Sequence, residues 1–286
     1  MSIQRIVYDA QDVYIEGERL KGVQSCTASW SSPETYVNAI GYQGGTVGLS
    51  VDESLTSTFD VEQIITSSHE PIKKLFESVN IAGEIKYGNN QNFAFSDGQI
   101  TSYGCSCSVG SLPLTTFSIL AFGNSGGGIA SKTRRNEDDS SIMVATPGSL
   151  ELDVYGHSSN AIQSFDISIP IEREAISLIG KKNRPDHFVP RFPIQVDCQF
   201  TLIVQDYESS SLYDFICHPR QQDLNLSFMK CETSEYIRKF FLPKARLVDF
   251  SQQATIDNNL EVTLVYKSLI TDLANIEKIV SGIVFY

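Results

Sequence analysis

Two stretches of this chain resemble each other closely enough to constrain its fold. The stretch QSCTASWSSPETYVNAIG begins at Gln24, and the stretch QSFDISIPIEREAISLIG begins at Gln163, 139 positions later. Both open with Gln-Ser and close with Ile-Gly. In both, apolar side chains alternate with mostly polar ones: Cys26, Ala28 and Trp30 in the first, Phe165, Ile167 and Ile169 in the second. A period of two predicts a strand with one buried face.

A segment of different composition separates the two similar stretches. Residues 123–149, GNSGGGIASKTRRNEDDSSIMVATPGS, are rich in Gly, Ser and mixed charge and have no apolar period. This composition is typical of a linker. We therefore predict two tandem domains, over residues 1–123 and 148–286, joined by a linker over residues 124–147. The length of 286 residues suits two domains of about 140 residues each.

The elements predicted on the two sides of the linker follow the same order. In each half a short strand precedes the similar stretch, a longer alternating segment follows it, and an amphipathic helix and further strands come last. The helices are predicted in SSHEPIKKLFESV, capped by Ser67 or Ser68, and in ESSSLYDFICH. The sequence thus predicts a mainly β chain, a β-sandwich or barrel with one helix per repeat. The alternative is one large mixed β-protein whose strands merely recur.

Charge and hydropathy exclude several classes of protein. The formal net charge is -12, and both halves are acidic, whereas proteins that grip nucleic acid usually carry a basic patch. The N-terminal stretch lacks the apolar core of a signal peptide, and no apolar run is long enough for a membrane span. We expect folding in a cytoplasm, with the six cysteines made as thiols and without a membrane anchor.

The sharpest enzymatic signal is the segment GNSGG, residues 123–127. It satisfies the G-x-S-x-G pattern of the α/β-hydrolase nucleophile elbow, with Ser125 as the nucleophile. An elbow must run directly into a helix, but the residues that follow have no amphipathic period. A Gly-rich linker also produces such a match easily. A serine hydrolase that uses Ser125 is therefore only a minor alternative.

No other residues form a convincing catalytic or metal site. Cys105 and Cys107 form a C-x-C pair that lies on one face of a strand, without the further ligands that a metal ion needs. The four histidines are far apart in sequence. The sequence therefore predicts no catalytic residue, no cofactor and no metal ion, and it favours a protein that acts by assembly.

The order of strands, long two-stranded hairpin, single helix and further strands resembles the tube fold of bacteriophage tails and baseplate hubs. The resemblance covers nearly the whole chain and depends on architecture, because that family has no short diagnostic motif. It implies rings of six tube domains, so a chain with two such domains would form a trimeric, pseudo-hexameric ring. Such rings would stack into a tail tube that conducts DNA.

The resemblance also implies places for particular segments. The long hairpins, Gln24–Phe59 and Gln163–Val204, would line the ring as a continuous barrel. Their tips, residues 42–48 and 181–192, would reach the next ring. Negative charge facing the lumen would let DNA pass without specific binding. The C-terminal segment NIEKIVSGIVFY would dock as an arm on its own domain or on a neighbour.

Further expectations concern partners and location. Besides other copies of the chain, the resemblance implies sheath or baseplate and hub proteins as partners, in a virion tail that is assembled in the host cytoplasm. The main alternative within the family is a baseplate hub or tube-adaptor ring at the tail end. A carbohydrate-binding β-sandwich would need exposed aromatic side chains, and Trp30 is expected on the inward face.

Overall fold

The computed structural model is mainly β. It describes residues 11–31, 35–38, 46–50, 56–66, 80–87, 91–122, 125–127, 150–153, 162–176, 187–203, 221–229, 236–253, 261–271 and 280–281. The strands of residues 11–127, which we call the first strand set, are β1 Gln11–Ile15, β2 Glu18–Arg19, β3 Val23–Ser31, β4 Thr35–Asn38, β5 Thr46–Ser50, β6 Thr56–Ile64, β7 Ile81–Tyr87, β8 Gln91–Ser108, β9 Leu114–Phe122 and β10 Ser125–Gly126.

The strands of residues 150–281 form the second strand set. They are β11 Leu150–Asp153, β12 Ile162–Pro170, β13 Arg173–Ile176, β14 His187–Pro190, β15 Ile194–Ile203, β16 Gln222–Met229, β17 Tyr236–Gln253, β18 Glu261–Ile270 and β19 Val280–Ser281. All pairings between the described strands are antiparallel. The hairpins β4–β5 and β13–β14 form separate two-stranded sheets, and the remaining strands form one large sheet.

The two strand sets have the same strand order. The first runs β1-β7-β8-β9-β6-β3, and the second runs β11-β16-β17-β18-β15-β12. Their irregularities also agree. The pairing of β3 with β6 shifts between Val23 and Ser25, and the pairing of β12 with β15 shifts between Ile162 and Ser164. The extra residues are thus Gln24 and Gln163, the residues that open the two similar stretches of the sequence.

A second pair of bulges fixes the correspondence between the long strands. The pairing of β8 with β9 shifts between Ile100 and Ser102, and that of β17 with β18 shifts between Leu247 and Asp249. When the bulges are aligned, each residue of β3 and β6 corresponds to the residue 139 positions later, in β12 and β15. Each residue at the end of β8 and in β9 corresponds to the residue 147 positions later, in β17 and β18. Trp30 then corresponds to Ile169, and Tyr103 corresponds to Phe250.

The two 18-residue strands, β8 and β17, each belong to two layers. The first part of β8 pairs with β7, and its last part pairs with β9. Phe95, in the first part, lies edge-on to Phe59 of β6 at a centroid distance of 5.0 Å. The first part of β8 therefore folds over the buried face of the sheet. In the second set, Phe240 of β17 packs against Phe165 of β12 with tilted rings, at a centroid distance of 6.2 Å.

Buried side chains of both strand sets form one continuous core. Strict alternation produces it: β15 and β18 bury every second residue and leave the others at least partly exposed. A buried polar contact also crosses between the sets, because Arg238 of β17 donates a hydrogen bond from Nη1 to the hydroxyl of Tyr103 on β8, at 2.9 Å. Both residues are almost fully buried.

The mainly β prediction is confirmed, and the part of the chain that the structure describes contains no helix. Both predicted helices, in residues 67–79 and 208–218, lie outside the described residues. Within the predicted linker, Ser125 and Gly126 form β10, which pairs with β8. In the C-terminal segment, Val280 and Ser281 pair with β17 of the same chain, so this part of the predicted arm docks on its own strand set.

Candidate assembly surface

The two strand sets are joined by one strand pairing, which we call the internal seam. Residues 102–108 of β8 pair with residues 164–170 of β12. Cys105 lies opposite Ile167, and Tyr103 lies opposite Ile169. All four side chains are buried. The alternation of β8 and β12 places these apolar residues on the core side and Ser106 and similar polar residues on the other side.

Two further hydrogen bonds extend the internal seam beyond the paired strands. The Ile171 backbone N–H donates to the carbonyl of Thr101 at 2.7 Å, and the Arg173 side chain donates from Nε to the carbonyl of Ile100 at 2.7 Å. Burial lowers the pKa of Arg173 to about 10. Phe188 of β14 stacks on Phe122 of β9 at a centroid distance of 4.0 Å. The β13–β14 hairpin thus covers this end of the seam.

Strand β3 forms the first open edge of the large sheet. Among the strands that the structure describes, β3 pairs only with β6. The Trp30 side chain is 67% exposed, and Cys26 and Ala28 are only partly buried. The sequence predicts Trp30 on the inward face, and it does share the side of β3 on which Cys26 and Ala28 pack against the core, but in the single chain its side chain is largely uncovered. Trp30 is on the apolar side of β3, but no second described strand lies beside it.

Residues 246–253 of β17 form the second open edge. They pair with β18 on one side, and no described strand pairs with them on the other. Leu247 and Phe250 are partly buried against the core, whereas Val248 is 47% exposed. Their counterparts in β8, Ile100 and Tyr103, are fully buried beside the internal seam. The two ends of the sheet thus expose apolar positions that are covered at the internal seam.

Between the open edges runs a sheet of eight strands, in the order β3-β6-β9-β8-β12-β15-β18-β17. One side of it packs on the core. The other side, which we call the polar face, is made of the alternate residues that include Thr27, Asp60, Ser118, Ser106, Asp166, Gln199, Thr263 and Ser251. Most of the polar face consists of hydroxyl, amide and carboxylate side chains, so it suits permanent contact with water.

Side chains on the polar face hydrogen-bond across neighbouring strands. Ser118 donates from Oγ to the Asp60 carboxylate at 2.6 Å, and the hydroxyls of Ser31 and Thr56 are 3.0 Å apart. The charged residues on this face are Asp60, Glu62, Asp166, Asp197, Asp249, Glu261, Arg246 and Lys267. Six carboxylates and two cations leave a formal charge of -4. Partial burial raises the pKa of the Asp166 carboxyl.

The described cysteines are free thiols: Cys26, Cys105, Cys107 and Cys198. Burial, with a smaller effect of the Asp60 charge, raises the pKa of Cys26 to about 12. Burial also raises the pKa of Cys107 and of Cys198, the latter together with the nearby Asp166 and Cys105. Such thiols hold their protons and are poor nucleophiles. No group of three or more potential metal ligands occurs among the described residues.

Ser125 lies in the two-residue strand β10, opposite Phe95 of β8. Its hydroxyl is 2.5 Å from the hydroxyl of Ser57. Ser57 is buried and has no basic group, so it cannot take the proton of a nucleophile. This contact anchors β10 to β6 and offers no support for the hydrolase alternative.

The predicted hairpin tips lie only partly within the described residues. Of residues 42–48 the structure describes 46–48, and of residues 181–192 it describes 187–192. Beneath the β13–β14 hairpin is a mainly apolar cleft of about 300 Å³. Leu120, Phe122, Ile171, Arg173 and Phe188 are among its lining residues.

The sequence predicts hairpin strands that neighbouring copies close into a barrel, but it does not identify the strands of the internal seam or of the two open edges. One signal was available in the sequence. Tyr103 and Cys105 continue the apolar alternation of β8, so one side of this part of the strand is expected to be buried. An apolar period shows that a face is buried but does not show which strand lies alongside.

In the described part of the chain, no helix is both long and apolar enough to span a membrane. No family model matches this chain. No curated protein matches it either.

Proposed function

We propose that the chain is a structural subunit that assembles into closed rings, and that these rings form the tail tube of a bacteriophage. One observation carries this proposal. The chain exposes two strand edges, β3 and residues 246–253 of β17. The corresponding strands, β12 and β8, pair with each other at the internal seam. Since the two open edges differ from each other, copies would associate head to tail, and head-to-tail contacts build rings when the rotation closes.

The shared strand order supports an internal duplication. Two tube-like domains, residues 1–123 and 148–286, would each contribute four strands to the eight-stranded sheet. The internal seam would then be a domain–domain contact of the kind that the ring repeats between chains. The ring size of three chains comes from the resemblance to tail tubes, in which six tube domains form a ring.

The polar face supports the role of a conduit. In a closed ring the apolar side of the sheet is covered by the outer strands, so the polar face would line the lumen. Its formal charge of -4 per chain repels the phosphate backbone of DNA. Hydroxyl and carboxylate groups that already bond to each other across strands present few donors to phosphate. DNA would pass without specific binding, and sheath or baseplate proteins would contact the outer surface.

Assembly also resolves a physical hazard of the single chain. An exposed strand edge with apolar side chains is a template for uncontrolled pairing. The first open edge runs over the nine residues of β3 and exposes Trp30. Pairing it with the second open edge of a neighbour removes both edges at once.

Negative-stain electron microscopy of the purified protein, with its mass in solution, tests the proposal. Rings of three chains with an open lumen are the expected result. Stacking of these rings into tubes supports a tail tube, whereas rings that never stack support the alternative of a baseplate hub or tube-adaptor ring. A monomer that persists at high concentration contradicts both, and a screen for ester hydrolysis with Ser125→Ala as the control would then follow.

A further inference from the structure

The internal seam gives the geometry of a strand pairing between the two strand sets in full. Its partners are Ser106 with Asp166, Cys105 with Ile167, Gly104 with Ser168, Tyr103 with Ile169, and Ser102 with Pro170. Two backbone hydrogen bonds continue the seam in the same register at its two ends. The Ile171 N–H donates to the carbonyl of Thr101, and the Val109 N–H donates to the carbonyl of Gln163.

Each side of the internal seam has a counterpart at an open edge. The bulges at Gln24 and Gln163 match β3 with β12, and the bulges after Ile100 and Leu247 match β8 with β17. The matching gives one register. A slip by one residue would exchange the apolar and polar sides of a strand, so the competing registers are those displaced by two residues.

We infer that the seam between neighbouring chains repeats the internal seam residue for residue. Strand β3 of one chain lies antiparallel to β17 of the next, with Trp30 opposite Phe250, Ala28 opposite Gln252, and Thr27 opposite Gln253. Ser29 then faces Ser251, and Ser31 faces Asp249. This inference rests on the proposed function, because it requires that copies of the chain associate. It goes further in identifying the two strands that meet and the register in which they pair.

The exposure of apolar side chains supports this register. Ile169 is 0% exposed at the internal seam, whereas its counterpart Trp30 is 67% exposed. Tyr103 is buried, whereas its counterpart Phe250 is only partly buried. The inferred register places Trp30 and Phe250 opposite each other, and an aromatic cross-strand pair is a favourable contact in an antiparallel sheet.

A contact beside the strands points to the same arrangement. Phe122 of β9 is covered by Phe188 of the β13–β14 hairpin. Leu269 of β18 corresponds to Phe122 and is 59% exposed. By the same matching, the position that corresponds to Phe188 is residue 49 of the β4–β5 hairpin. The β4–β5 hairpin of a neighbour would therefore cover Leu269.

The two seams differ in one respect that affects disassembly. The internal pair Cys105 and Ile167 is buried and apolar, whereas the corresponding pair between chains would be Gln252 and Ala28. At this position the seam between chains thus buries less apolar surface, and its two strands belong to different chains. A ring would open there, and each chain would leave with its internal seam intact.

Cysteine pairs test the register directly. In the non-hydrogen-bonded pairs of an antiparallel sheet the Cα atoms are about 4.5 Å apart, which suits a disulfide. The alternation set by the Ile171 N–H places Ser106 and Asp166 in such a pair. Its counterpart between chains is Thr27 with Gln253, and both of these side chains are exposed. The test variant is Thr27→Cys with Gln253→Cys.

Three controls match the test variant. Ser106→Cys with Asp166→Cys should form a disulfide within one chain. Thr27→Cys with Ser251→Cys places the thiols on the same face but two residues out of register, at about 7–8 Å, beyond the reach of a disulfide. Each single cysteine variant shows any linkage through the native thiols. Ser29→Cys with Ser251→Cys is a second in-register pair, in case the first variant fails to fold.

Mild oxidation and non-reducing electrophoresis give the result. We expect the in-register pairs to yield covalent products of two and three chains. The yield of these products should be at least about tenfold higher than for the out-of-register pair, because the out-of-register thiols are too far apart for a disulfide. Rings without this linkage, or with more linkage in the out-of-register pair, would overturn the register and leave the proposed function standing. Absence of both rings and linkage would overturn both.

Discussion

Trp30 and Ile169 occupy corresponding positions of the two strand sets, yet Trp30 is 67% exposed and Ile169 is 0% exposed. The difference comes from their neighbours. Ile169 lies between β15 and β8, whereas Trp30 has β6 on one side and no described strand on the other. One chain thus contains both a covered and an uncovered version of the same strand edge.

Replacing the uncovered residue should weaken association and spare the fold. We expect Trp30→Ser to raise the dissociation constant between chains about 30-fold, the equivalent of roughly 2 kcal/mol for a central aromatic contact. Sedimentation equilibrium measures this change. Val109→Ser is the matched control, since Val109 is 66% exposed but lies in the β8–β9 turn, away from both open edges. Equal effects of the two substitutions would contradict the assignment of the edge.

Replacing the covered residue should instead destabilise the single chain. Ile169→Ala leaves a cavity between the two strand sets, and we expect the free energy of unfolding to fall by about 2–5 kcal/mol. Urea unfolding measures it, and a Trp30→Ser background studied at concentrations where that variant is monomeric keeps association from contributing to the result. An unchanged free energy of unfolding would show that the internal seam is not part of the cooperative core.

The contact between Tyr103 and Arg238 should also contribute to the joining of the strand sets. Tyr103→Phe removes the hydroxyl that accepts the bond from Arg238. Loss of a hydrogen bond from a buried charged group should cost roughly 1–3 kcal/mol of unfolding free energy. Tyr236→Phe is the control, because Tyr236 is 42% exposed, and a change below about 0.5 kcal/mol is expected there. Similar losses in both variants would contradict this role.

The thiol of Cys26 should resist alkylation in the folded chain. Its pKa is raised from 9.0 to about 12, so the thiolate fraction at pH 8 should be roughly a thousandfold lower than for an unshifted thiol. Because the unfolded thiol ionises first, the contribution of this group makes the folded state less stable as pH rises above the unfolded pKa. Mass spectrometry after iodoacetamide treatment checks the prediction, and rapid labelling of native Cys26 would disprove it.

Salt should strengthen the association of chains. Each chain carries a formal charge of -12, so neighbouring copies repel each other at low ionic strength. Raising the ionic strength from about 0.01 M to about 0.15 M shortens the Debye length from about 30 to about 8 Å. The fraction of protein in rings, measured by light scattering at fixed concentration, should rise over this range. A fall would point to attractive charge pairs across the seam instead.

Much of the strand pattern could be predicted from sequence, because alternation is a local property. The two similar stretches became β3 and β12, and the spacing of 139 residues between Gln24 and Gln163 reappears as a matched pair of bulges. Each bulge inserts one residue at the same place, so the apolar side of both strands stays on the core side.

The internal seam and the exposure of Trp30 could not be predicted in this way. Alternation in β3 and β12 is equally clear, but among the described strands only β12 has a neighbour on each side. Which strands meet depends on contacts between residues far apart in sequence, such as Ser106 with Asp166. Burial of an edge residue is therefore decided by the tertiary structure and, in the proposed ring, by a second chain.

The mass of the protein in solution across a range of concentrations is the most direct test of strand pairing between neighbouring chains. Pairing of the first open edge with the second open edge of a neighbour predicts a closed species of three chains that falls apart to monomers on dilution, and that Trp30→Ser shifts toward the monomer. A wild-type protein that remains monomeric at the highest concentration, or a mass that Trp30→Ser leaves unchanged, would contradict it.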